Sequence, residues 1–441
     1  MQYTLILGAA LAASISAVSA ECVNDGGNWY CDQVDSIKYT NFDFDGTYDM
    51  VTSMDAGSLT CGTTPKSFGG PFGPLAEEDQ LSMHFRGPMN LYGVAVYNKG
   101  PEKRKRELKP SIHERRHGHS HQRFHEKRAV GDIVTAVIDG QTVTWKNEYG
   151  GTAPTDAPDA GDPQVKGYSQ PDNGHKNNDK PKSPPKPSPP VHVAPGEWGR
   201  VAHYNSKDNE ADGITFFNNE GAWGKGVTQG FGCALSYAAA NIFGIASSPA
   251  VPNNSEIPDG KEVTILTDQE CENGSCGFTR PGAAANPNRS LDGFGGTDKI
   301  FLVSLDMPLT GARAESIYTP VDMPAFWLLN ARIPLTSQYP TNKECSCWAS
   351  GCGEFDVLEV LAPGDKRCKS TLHADVAGGS SYYFNRPEKP ITVAVVFNSA
   401  AKILHVKVID YMGEFPTTLD SKTVEDLCTD APKSNTFPLG A

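Results

Sequence analysis

Glu354, Asp356 and Glu359 lie inside Gly353-Glu-Phe-Asp-Val-Leu-Glu-Val360, a run whose other letters read as a buried strand. Ionised carboxylates tolerate apolar surroundings poorly and are depleted from strands, so pattern and chemistry disagree here, as they do at functional sites. A strand sends alternate side chains to opposite faces, which puts Glu354 and Asp356 together. Strict alternation turns Glu359 away; one extra residue at Val357-Leu358, a β-bulge, would return it. The two glutamate Cα atoms would then stand roughly 13 Å apart at about 3.3 Å per step. Leaning together over a concave sheet, the side chains could close to about 5–5.5 Å, where one carboxylate attacks an anomeric carbon and the other exchanges a proton with the leaving oxygen. Asp356 between them would bond to one and keep their ionisation apart. A solvated edge strand or surface turn could carry the same letters, so the surroundings must decide.

The elements that would position these groups are strands. From about residue 196 the chain alternates apolar runs with turns, among them 213–217, 263–266, 299–305, 325–329, 391–397 and 403–410. That density, with few helical periods, predicts an all-β sandwich over 196–441. The run 234–240 is the one helix expected. Residues 21–100 are Gly-rich with short apolar runs, which predicts a small separate β domain stapled by some of Cys22, Cys31 and Cys61. Residues 129–149 hold two apolar runs around Asp139-Gly140, a hairpin signal assigned to that N-terminal domain. Between them, 101–128 is basic and rich in His. It ends at Lys127-Arg128, a dibasic pair that secretory-pathway proteases cut in accessible chain. Residues 150–195 are a Pro-rich linker.

Residues 1–20 read as a signal peptide, with an apolar stretch from Leu5 to Val18 and small residues Val18 and Ala20 before Glu21. No later run is long enough to span a membrane, and no C-terminal lipid-anchor signal is present, so no membrane anchor is expected. Eleven cysteines fit an oxidising compartment, with one left over; disulfides are favoured over a metal site at Cys345, Cys347 and Cys352. Cys271 and Cys276 flank a short loop and are the expected local pair. Asn253, Asn273 and Asn288 head glycosylation sequons. The net charge is −13; residues 102–128 carry ten Lys/Arg against four Glu, leaving −19 for the rest. That balance argues against a nucleic-acid partner.

Three ordered motifs carry a resemblance. Asp322-Met-Pro-Ala-Phe-Trp-Leu-Leu-Asn330, the carboxylate run and Thr371-Leu-His373 resemble the order of elements in glycoside hydrolase family 16. Nearly the full length resembles the fungal secreted cell-wall glycosyl hydrolases of Tos type. The first resemblance implies a β-jelly roll that cleaves β-glucans with retention. By position, Glu354 matches the nucleophile, Asp356 the assisting carboxylate, Glu359 the general acid/base and His373 a hydrogen-bonding support. Trp327 matches a cleft strand residue. Trp348, Tyr382 and Tyr383 are further candidates for the apolar platforms that sugar C–H faces need, although an aromatic taken singly is more often core than platform. The cysteine-dense segment 344–352 departs from the family pattern and would rigidify or cover one side of a cleft.

The resulting expectation is a secreted, wall-located endo-β-1,3-glucanase that needs no metal or cofactor and has wall β-glucan as its partner. Two alternatives stay open: a transglycosylase that passes the same intermediate to another glucan, and a non-catalytic glucan-binding or structural wall protein.

Overall fold

The computed structural model describes residues 22–55, 58–76, 80–100, 133–138, 141–146, 196–218, 220, 236–253, 255–269, 291–313, 320–332 and 343–440. The signal peptide, the basic segment with Lys127 and Arg128, the Pro-rich linker, Asn273, Asn288, Cys271 and Cys276 lie outside the described residues.

The chain begins with β1 (Val23–Asp25) and β2 (Asn28–Tyr30), a hairpin closed by the Cys22–Cys31 disulfide, followed by β3 (Ser36–Thr40). A second hairpin, β4 (Gly46–Asp55) and β5 (Thr60–Phe68), precedes β6 (Leu81–Arg86) and β7 (Met89–Lys99). Next in sequence are β8 (Ile133–Ile138) and β9 (Gln141–Lys146), which pair as the expected hairpin. Then come β10 (Trp198–Asn205), β11 (Glu210–Asp212), β12 (Thr215–Asn218), β13 (Ser236–Ala238) and β14 (Ile245–Ala246). They lead to β15 (Glu256–Ile257), β16 (Glu262–Leu266), β17 (Lys299–Asp306) and β18 (Ala325–Asn330). The C-terminal third holds β19 (Glu354–Glu359), β20 (Arg367–His373), β21 (Gly378–Gly379), β22 (Phe384–Asn385), β23 (Ile391–Asn398) and β24 (Ile403–Asp410). Last are β25 (Thr418–Leu419), α1 (Ser421–Cys428) and β26 (Ser434–Pro438).

Two compact units result. Residues 1–103 and 183–441 form one, and 104–182, with the β8–β9 hairpin, the other. In the first unit two large sheets face each other. One runs β11-β10-β7-β17-β23-β24-β3-β26; the second runs β14-β13-β12-β16-β6-β18-β19-β20-β21. Neighbours are antiparallel except β26 against β3. Alternate residues of both sheets, such as Phe301, Val303 and Val395 against Phe85, Phe326, Leu328 and Phe355, interdigitate as one buried core. The all-β expectation holds, in a sandwich consistent with a jelly roll.

Three sequence expectations change. Residues 21–100 are not a separate domain: β3 and β7 lie inside one sheet of the sandwich and β6 inside the other. Short apolar runs look the same whether they build their own sheet or complete another. The β8–β9 hairpin belongs to the second unit, not with residues 21–100. Residues 236–238 form a strand, while the one α-helix among the described residues is at 421–428, where Asp420 caps it by accepting the Thr423 N–H (2.7 Å) and Val424 and Leu427 cover the outer face of the first sheet.

Candidate active site

The carboxylate run forms β19, between β18 and β20. Opposite it, Phe326 pairs with Leu358 but Trp327 pairs with Asp356, so Val357 is the extra residue of a β-bulge. The β20 ladder shifts at the same place. Both Val357 and Leu358 enter the inter-sheet core with Phe355, which leaves Glu354, Asp356 and Glu359 on the opposite face. The bulge expected from the sequence is present. Its driving force is apolar: two consecutive hydrophobic residues go inward only if alternation breaks between them.

The neighbouring strands furnish that face. From β6 it receives Ser82, His84 and Arg86, because Leu81, Met83 and Phe85 take the core side. β18 adds Ala325, Trp327 and Leu329 in the same way. The turn before β18 is held by Asp322, whose carboxylate accepts the Thr310 and Gly311 N–H groups and the Arg386 guanidinium (2.6 Å), both partners being buried.

Each carboxylate has its own partners. The indole Nε1 of Trp348 donates to Oε2 of Glu354. His373 Nε2 lies 2.9 Å from Asp356 Oδ2. Arg86 donates to Glu359 Oε1 (3.2 Å), to the Met323 carbonyl (2.8 Å), and stands 3.9 Å from Glu262. Lys369, opposite Glu359 in the ladder, directs its ammonium to the carbonyls of Trp29 and Ser380 instead.

Burial governs the electrostatics. Glu354 is pushed up to about 8, first by desolvation and then by the Asp356 charge, with His373, the Trp348 N–H and Glu359 acting more weakly. Asp356 is raised well above the usual range, again chiefly by burial and next by Glu359. Burial also raises Glu262, against the pull of Arg86. Glu354 and Asp356, side by side in so dry a place, cannot both ionise, so the pair holds a proton at neutral pH and titrates as a unit.

Of the residues singled out in the sequence, the structure brings together Glu354, Asp356, Glu359, His373, Trp327 and Trp348. Trp327 is almost covered, its ring stacked on His84 (5.1 Å) with the Arg86 guanidinium 5.8 Å above. Its Nε1 is buried without a hydrogen-bond partner. Tyr382 packs against the inter-sheet core, and Tyr383 meets Tyr30 edge-on (6.0 Å), bridging backbone to Gln33. Neither makes a described contact with the carboxylates. Asn253 is exposed on a loop. Sequence reasoning missed Arg86, His84 and Glu262. The available signal was the alternation in Leu81-Ser-Met-His-Phe-Arg86, a half-buried strand with its polar letters on one face.

Over this face lies the β4–β5 hairpin. Tyr48, Met50 and Phe68 join Trp327, Leu329 and Trp348 in an apolar cluster with the Cys347–Cys352 disulfide. A second disulfide, Cys61–Cys345, ties β5 to the turn before β19. The cysteine-dense segment thus covers one side of the site, as its composition suggested.

Comparison with known proteins agrees with this architecture. The family described as "Cell wall protein YJL171C/Tos1" matches in two parts, its C-terminal profile over residues 196–427 and its N-terminal profile over 35–99. The chain belongs to the YJL171C/Tos1 cell wall protein family. A relative from Arthroderma benhamiae, named "Probable circularly permuted 1,3-beta-glucanase", is 59% identical over 455 residues, covering 100% of each chain. Relatives from Saccharomyces cerevisiae and Candida albicans, both named "Probable circularly permuted 1,3-beta-glucanase TOS1", are 33% identical and cover 96% of each chain. No solved structure gives a significant match. The two profiles of this YJL171C/Tos1 chain correspond to parts of one sandwich, since β7 from the first part pairs with β10 and β17 from the second.

Proposed function

We propose that this chain cleaves β-1,3-glucan internally, in the cell wall, by a retaining double displacement of the glycoside hydrolase family 16 kind. The observation that carries the reading is the bulge at Val357, which sets Glu354, Asp356 and Glu359 on one face with separate partners. The relatives' names support the substrate, and the three disulfides among the described residues suit a secreted protein. Asn253, Asn273 and Asn288 would carry N-glycans.

In this mechanism the retained proton sits on Asp356, a buried carboxyl that lies within hydrogen-bonding reach of Glu354 and Glu359. Once Asp356 is neutral, the second-largest cause of the rise at Glu354 is gone, and the Trp348 and Asp356 donors leave Glu354 as the anion that attacks the anomeric carbon. Glu359 protonates the departing glucan oxygen, and the glycosyl group is left esterified to Glu354. Water, deprotonated by Glu359, then releases it and returns the proton. Glu359 suits this exchange because a quarter of its side chain meets solvent (24%), and Arg86 provides the counter-charge for its anionic state. His373 holds Asp356 in place.

The test is to incubate purified protein with a β-1,3-glucan and follow reducing ends and product length. Glu354→Gln and Glu359→Gln should each reduce turnover by about a thousandfold or more. Longer products without new reducing ends would favour transfer. Equal inactivity of wild type and both variants over several β-glucans would leave a non-catalytic wall protein.

A further inference from the structure

Trp348 enters the sequence reading as a platform for sugar, yet its one polar group is already engaged. The indole N–H donates to Glu354, and the ring lies 6.2 Å from that of His373. The backbone around the indole holds it there. It stands on a 3-10 turn, Cys347–Ser350, spanned by the Cys347–Cys352 disulfide. Ser346 Oγ accepts the Trp348 backbone N–H (3.2 Å), and the N–H of Gly351 returns to the Cys347 and Trp348 carbonyls. Gly351 has φ 93°, and a Cβ there would come within 2.8 Å of the Asp375 backbone, so only glycine closes the turn. Outside the turn, Cys345 is bonded to Cys61, and Ser350 Oγ accepts the Asp49 N–H of β4 (2.9 Å). Every anchor of the turn therefore fixes the position of one N–H.

We propose that Trp348 is a positioning residue for Glu354, its donor aimed by the disulfide-closed turn so that the carboxylate is held in one orientation for attack. The proposal rests on the reading of Glu354 as nucleophile. A donor that bonds to a carboxylate also favours its anion over its acid. The other charged groups acting on Glu354 are Asp356 and Glu359 on its own strand and His373 from β20; Leu329 of β18 pairs with it and adds no charge, and the covering hairpin brings Tyr48 to the apolar cluster around Trp348. Arg86 and His84 stand further along the face. Among these Trp348 is a neutral donor to Glu354, and it keeps that role at any pH.

Trp348→Phe separates a donor from a platform, because it retains an apolar ring and removes the N–H. Glu354 can be followed directly by carboxyl carbon NMR, its resonance identified as the one missing in Glu354→Gln. The positioning role predicts that in Trp348→Phe this resonance titrates higher by about one pH unit. With a β-1,3-glucan, the acid limb of kcat/KM should move the same way and kcat should fall by about tenfold or more while KM changes by less than about threefold. An unmoved titration, or a raised KM with kcat intact, would overturn the proposal in favour of a sugar platform. If the wild type cleaves no glucan but the titration still moves, the glucanase reading fails and the control of Glu354 by Trp348 stands.

Discussion

At the scale of single residues, the site is costly to the fold. Glu354 and Asp356 are each 4% exposed and sit side by side on one face of a strand. Glu354 is raised from an ordinary 4.5 to about 8 in the folded protein. Between those values the folded Glu354–Asp356 pair keeps a proton that the unfolded chain has released. Its contribution is complete below about pH 4.5 and is lost as pH climbs through about 8, so stability falls over that window. Glutamine preserves the acceptor for Trp348 and cannot ionise. Glu354→Gln breaks up the like-charge pair, so it should match the wild type near pH 4 and exceed it above pH 8 by several kcal/mol, up to about 5, read as denaturant midpoints across the range. Parallel curves from pH 4 to 9 would show that burial of this carboxyl costs nothing.

At the scale of elements, the site depends on two devices, the bulge in β19 and the hairpin that covers it. The bulge is encoded locally, by the adjacent Val357 and Leu358 seeking the core. The hairpin is not: β4 and β5 pair with each other rather than with either large sheet, and reach the catalytic face through Tyr48, Phe68 and a disulfide joining residues 284 apart in sequence. Replacing Cys61 and Cys345 together by serine should cost about 2–4 kcal/mol. In hydrogen exchange, loss of protection should be concentrated in 46–68 and spare β17 and β23. Uniform loss across both sheets would mean that the hairpin is part of the folding core rather than a cover.

At the scale of the molecule, a long stretch of chain lies between two strands that are direct neighbours. Lys99 of β7 pairs with Trp198 of β10, and the Gly100 N–H reaches the Glu197 carbonyl (2.8 Å). Residues 101–195 thus leave and return at one point. Replacing them by a short Gly-containing turn should leave the melting temperature within about 3 °C, since closing a shorter loop costs less entropy. A large drop would assign a folding role to the insert. The same arrangement bears on Lys127-Arg128. A chain cut after Arg128 would remain joined by Cys61–Cys345 and by β7 between β10 and β17. Secreted protein should then run as one species without reductant and as two with it; a single species under both conditions would reject processing there.

Much of this was legible in local letters. Period-two alternation is a property of a few consecutive residues, so the strands, the β-class, the carboxylates with their bulge and the hairpin at 133–146 could be read without a partner strand in view. The pairing of distant segments could not. The run 81–86 reads as a good strand, but nothing within it says that it will lie beside β18 and carry Arg86 to Glu359. Nor do residues 36–99 announce that they complete a sandwich begun 160 residues later. Trp348 could be recognised as an aromatic near the carboxylates; whether its face met sugar or its N–H met Glu354 depended on two disulfides and a turn. Side-chain direction follows from local geometry, whereas hydrogen-bond partners and burial belong to the assembled sheets, and the charge state of Glu354 follows from those alone.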